Sequence, residues 1–107
     1  MNNFKYEEYP INIEVNHHNI KLLRIGNHYL GKHSSYMNDE LILELVYMLN
    51  GHSFEVDSLT KDIEYYVADV EYGDTPKIYR LVFLIGGEDL EILGIVNAYR
   101  RKPGRKK

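Results

Sequence analysis

Ile78-Tyr79-Arg80-Leu81-Val82-Phe83-Leu84-Ile85, then Gly86-Gly87-Glu88-Asp89, then the run from Glu91 to Tyr99-Arg100, is the stretch on which the fold turns. Its first part is apolar on alternate and intervening positions alike, apart from Arg80. That pattern marks a central strand covered on both sides, not a strand with one wet face. Two glycines and two acids then form a hairpin connection, and Glu91 to Arg100 reads as the last strand. With the loop centred near Gly87-Glu88, a simple antiparallel register places Tyr79 and Arg80 beside Val96 and Asn97, with Tyr99 and Arg100 just past them. One rim of the sheet then collects Tyr79, Arg80, Asn97, Tyr99 and Arg100.

Working outward, Tyr72-Gly73-Asp74-Thr75-Pro76 is a turn. Ile63 to Val70, rich in Tyr, Val and Ile, is the strand before it, and Phe54 to Val56 is a short strand earlier still. Asp39 to Asn50 reads as a helix, with Leu41, Ile42, Leu45, Val46 and Leu49 on one face. Asn38 is a good N-cap, Asp39 and Glu40 suit the positive end of the helix dipole, and Asn50-Gly51 is a stop. Ile11, Ile13 and Val15 alternate with polar residues, Asn16 to Asn19 is a turn, and Ile20 to Ile25 is a second strand, so the chain starts with a hairpin. Gly26 to Tyr36 is loop or short irregular helix. The expected architecture is α+β: an N-terminal hairpin and one principal helix packed on a three- to four-stranded antiparallel meander. Residues 1–107 read as a single domain with a loose start at 1–9 and a basic, flexible tail at 101–107.

Composition narrows the function classes. The 107 residues carry 13 basic and 16 acidic groups, a net charge of −3, and the pI is near 5.9. Zero cysteines exclude a disulfide scaffold, thiolate metal ligation and thiol catalysis. The longest strictly apolar run, Leu81 to Ile85, is far short of the ~20 residues that span a bilayer, and MNNFKYEEYP lacks the apolar core of a signal peptide. A membrane role is therefore not expected, and composition leaves the redox compartment open.

The charge is unevenly placed. Six of the 13 basic residues lie in the last eight positions, so residues 1–99 hold seven basic against 16 acidic groups, a net of −9. From Val15 to Asn38 there is no acid at all; that window holds Lys21, Arg24 and Lys32 with His17, His18, His28 and His33. Two positive segments on an acidic body describe either a solubilising tail or a local anion-binding face. The histidine spacing does not suit a metal: His28 and His33 are five apart, and the window offers no carboxylate. Gly86-Gly87 joins two strands, so it is no phosphate-binding loop, and Ser34 and Ser35 sit in no nucleophile elbow. No cofactor and no metal are expected. What remains is a metal-free anion site. Histidine moves protons near neutral pH, arginine and lysine hold phosphate, and RNA supplies its own 2′-hydroxyl nucleophile. Arg80, in an otherwise apolar strand, needs either a salt-bridge partner or an anion.

The layout adds a resemblance. Lys32-His33 stands just before the helix, the meander follows, and the chain closes on Ile95-Val96-Asn97-Ala98-Tyr99-Arg100-Arg101. Over roughly residues 20–102 this resembles the barnase–EndoU–colicin–RelE group of small ribonuclease toxins. The resemblance implies a metal-independent RNA endonuclease acting on tRNA or mRNA in a cytoplasm, its own or a target cell's, and a cognate antitoxin or immunity protein as partner. Lys32 and His33 match the group's Lys-His position, and Tyr99 and Arg100 match polar residues that end its last strand. His28 and Arg80 rest on the register and charge arguments. On this reading His33 is general acid or base with His28 or Tyr99 as its complement. Arg80, Arg100 and Lys32 hold the scissile phosphate, while Lys21, Arg24, Arg101, Lys102 and Arg105 bind RNA backbone. The departure is overall acidity, where many such toxins are basic. That acidity supports the alternative, a non-enzymatic binding module such as an antitoxin, an immunity protein or a phage inhibitor.

Overall fold

The computed structural model describes residues 6–26 and 36–101. The elements in chain order are β1 (Tyr6–Val15), β2 (His18–Gly26), α1 (Asp39–Tyr47), β3 (Ser58–Thr60), β4 (Ile63–Tyr72), β5 (Lys77–Gly86) and β6 (Ile92–Arg101). All six strands lie in one sheet, ordered β1-β2-β6-β5-β4-β3.

This corrects the expected fold class. The hairpin is not a separate unit beside a meander: β2 pairs in parallel with β6, from Leu22 opposite Ile92 to Ile25 opposite Ile95, and the other pairs of named strands are antiparallel. Among the described residues the protein is mostly β, a six-stranded mixed sheet with one helix of nine residues. The physical reason lies in β2. Leu22-Leu23-Arg24-Ile25 is too apolar for an edge, and its outer backbone groups need a ladder, which β6 supplies.

The helix stops at Tyr47 rather than Asn50. The backbone N–H of Leu49 donates to Val46 and that of Asn50 to Tyr47, each three residues back, so the last turn tightens. Asn50 then turns its Oδ1 to the N–H of Glu14 at 2.8 Å, and the Gly51 N–H donates to the Glu14 carbonyl at 2.7 Å. The start is as expected: Asn38 Oδ1 accepts from the Leu41 N–H at 2.8 Å. Tyr9 of β1 also donates to Asp39 at 2.5 Å, and that bond, with burial and the nearby carboxylates, pushes the phenol up to about 12. The helix is thus tied to β1 at both ends.

Ile42, Leu45 and Val46 are completely buried, with Ile20, Leu23, Leu81, Phe83, Leu93 and Ala98 of the sheet in the same core. The opposite sheet face carries Leu22, Val67, Val82 and Leu84, all half-buried. Residues 54–56 form no strand; the short strand is β3, four residues later. Phe54 instead enters the core edge-on to Phe83, its ring centroid 5.7 Å away, and both its backbone groups bond the Asn16 side chain, at 2.6 and 3.1 Å. Strand structure begins at Tyr6, within the segment expected to be loose, and includes Arg101, expected to open the tail.

Candidate functional site

Chemistry-bearing residues collect where the β4–β5 turn meets the end of β6. The β5–β6 register differs from the simple one. Arg80 faces Tyr99, Tyr79 faces Arg100 and Ile78 faces Arg101, while Asn97 lies opposite Val82. Two features move it: the connection runs from Gly87 to Glu91, and a bulge at Val96 adds a residue between Val82 and Phe83 of the partner ladder. Leu90, at φ 56, takes the left-handed turn in that connection.

Arg80 and Tyr99 therefore share the face away from the helix. Asp69 of β4 sits across from Arg80 in the β4–β5 ladder. The guanidinium grips it with two bonds, Nε to Oδ1 at 2.9 Å and Nη2 to Oδ2 at 3.1 Å. Arg101 adds a third, Nη1 to Oδ2 at 2.9 Å. These bonds, Arg80's first, hold the Asp69 carboxyl below its usual range against the opposing effect of burial. The same pairing, with a hydrogen bond to Tyr99, holds the Arg80 guanidinium all the more firmly charged. Of the two ways of satisfying Arg80 that the sequence left open, the structure shows the salt bridge. The cluster of two arginines and one aspartate keeps one positive charge, on the Arg101 side.

Arg100 points to the other side of the sheet end. Its guanidinium carbon lies 4.6 Å from the centre of the Tyr36 ring, and its backbone N–H donates to the Tyr36 hydroxyl at 3.2 Å. Tyr36, Arg100, Arg101, Lys77 and Ile78, with Glu71 and Pro76, line a cleft of about 550 Å³. Three cations against one carboxylate make it electropositive, and a tyrosine ring stiffened by a guanidinium gives it a flat wall. Such a cleft suits a phosphate with a planar group beside it.

The other expected site residues are scattered or lie elsewhere. Lys21 is exposed on β2 and its backbone N–H donates to the Glu91 carbonyl at 2.8 Å. Arg24 is held by Glu8, Nη2 to Oε2 at 2.7 Å, and stacks on Tyr6 with 4.5 Å to the ring centre. It borders an apolar recess of about 330 Å³ over Gly94, on the face away from the helix. Neither joins the Arg100 cleft. His28, Lys32, His33, Lys102 and Arg105 lie outside the described residues. Among the described residues no three His, Asp or Glu side chains are grouped to hold a metal ion, and no helix is long and apolar enough to cross a membrane.

Sequence reasoning missed Tyr36, Lys77 and Asp69. Asp69 was within reach: a hairpin folded at Gly73 to Pro76 sets it opposite Arg80, the one strand residue in need of a partner. Tyr36 and Lys77 carried no local signal, since they meet only through the ends of distant strands. Comparison with protein-family models, with curated proteins and with solved structures found no match.

Proposed function

We propose that this protein is a metal-independent RNA endonuclease, the toxin of a toxin–antitoxin or toxin–immunity pair, acting in a cytoplasm. The observation that carries the reading is the Arg100–Tyr36 contact at the mouth of the electropositive cleft. Tyr36 follows His33 by three residues in the chain. Arg100 and Arg101 hold the scissile phosphate and stabilise the charge that builds on it as the 2′-hydroxyl attacks. His33 moves the proton, with Tyr99 or His28 as complement. Arg80, already held by Asp69, orients Tyr99 instead of gripping phosphate, while Asp69 holds Arg101.

The test is incubation of the purified protein with total tRNA, with and without EDTA, beside His33→Ala and Arg100→Ala. Cleavage unaffected by EDTA, lost in His33→Ala and reduced about 10- to 100-fold in Arg100→Ala is the expected outcome. No cleavage by wild type, or equal cleavage by His33→Ala, overturns the assignment. The second reading, a non-enzymatic binding module, is favoured by one observation: the Arg80–Asp69 pair satisfies its own charges without a ligand. Induced expression separates the two, since a toxin arrests growth and His33→Ala relieves it, whereas a binding module is harmless alone.

A further inference from the structure

The end of the sheet opposite the basic cleft has the reverse character. From Phe54 to Glu64 and from Leu84 to Glu91 the chain holds seven acids and a single base, Lys61. A groove of about 480 Å³ runs between Leu59, Ile63, Leu84 and Ile85, flanked by Asp62 and Glu64. Leu59 is 65% exposed and Ile63 42%. Apolar side chains this open, rimmed by charge of one sign, mark a surface that meets another molecule.

The backbone adds direction. β3 is the last strand of the sheet, so its outer edge pairs with no strand among the described residues. The other edge, β1, is protected: Pro10 and a register shift interrupt it, and Glu7, Glu8 and Glu14 charge it. β3 has no such guard, being Ser58-Leu59-Thr60. A second copy of this chain is a poor occupant, because it would bring either the glutamates of its β1 edge or a second acidic groove against Asp62 and Glu64, and like charges across a strand pair repel. We propose that the β3 edge and its groove dock an extended, lysine- or arginine-rich segment of a partner protein, which adds as a seventh strand. Backbone bonds to β3 give the affinity, alternate apolar side chains fill the groove, and the cations meet Asp57, Asp62 and Glu64. The proposal stands whether or not the chain cleaves RNA.

The probe is an acetylated, amidated octapeptide of alternating lysine and valine, titrated into the full-length isotope-labelled protein and followed by backbone amide resonances. The control peptide alternates glutamate and valine. Saturable shifts confined to residues 55–64 and 84–91, absent with the glutamate peptide, are expected. Affinity should fall about tenfold in the double variant Asp62→Lys, Glu64→Lys. Leu59→Lys is the second variant, single and highly exposed, and should weaken binding similarly. Absence of saturable shifts, shifts centred on β1, or unchanged affinity in the variants overturns the proposal.

Discussion

Asp69 shows how one side chain organises a sheet face. Two arginines from two strands converge on it, and the depressed carboxyl records their pull. A carboxylate held low stabilises the fold at pH values above its unfolded range, near 3.8, and that contribution is lost as pH falls through the folded value. Asp69→Asn should therefore cost about 1 kcal/mol near neutral pH, a figure already reduced for solvent screening of a one-third-exposed group. Urea midpoints measured across the acid range check it. The wild-type advantage should shrink towards zero once the medium is more acidic than the ordinary carboxylate range. An advantage that persists there means that Asp69 acts by shape and not by charge. The same variant should loosen Arg101 more than Arg100, because Arg100 is held by Tyr36 instead.

Two hairpin turns of this chain share a geometry that its letters advertise poorly. Asn16 and His17 have φ 54 and 68, and Lys61 and Asp62 have φ 53 and 68. Consecutive positive φ values are the two-residue turn that suits the twist of antiparallel strands, and Asn-Gly is its preferred sequence. Asn16 tolerates the conformation and bonds Phe54 as well, so it is bound to its position. His17 is strained there, with a side chain 86% exposed. His17→Gly should stabilise the protein by about 0.5–1 kcal/mol, read as a higher urea midpoint with unchanged slope, whereas Asn16→Gly should destabilise it. Polar Asn16-His17-His18-Asn19 was readable as a turn; Lys61-Asp62 was not, because Lys61 takes a left-handed position where Gly, Asn or Asp is usual. The strands β4, β5 and β6 were legible for the same local reason that the helix start was: periodicity and capping act over a few residues. The β2–β6 pairing was not legible, since it joins segments some seventy positions apart in the chain and leaves no periodic trace. The site divides the same way. Tyr99 and Arg100 could be placed near the end of β6 from alternation alone. Their partners required the bulge at Val96, which shifts the register and which no residue type announces.

At the scale of the whole molecule, a net charge of −3 conceals two ends of opposite sign. Lys77, Arg100 and Arg101 line a cleft at one end of the sheet, and the chain continues from Arg101 into Lys102, Arg105, Lys106 and Lys107. Acids crowd the other end, about Gly86 and β3. In a uniform field an acidic protein repels RNA. In a polarised one, the RNA that the proposed function calls for would be repelled from the acidic end and admitted at the basic one. Affinity must then depend steeply on salt although the protein is acidic, because each phosphate neutralised releases counterions, about 0.7 per contact for a single strand. Deleting residues 102–107 removes four cations and should lower the log–log salt slope for a single-stranded RNA by up to about 3. Arg100→Ala should lower it by about 1 and Arg24→Ala hardly at all, since Arg24 is already neutralised by Glu8. Fluorescence anisotropy of a labelled RNA between low and physiological salt measures all three slopes. Equal slopes for wild type and the truncated chain would place RNA away from the β6 end, and with it the cleft built by Tyr36 and Arg100.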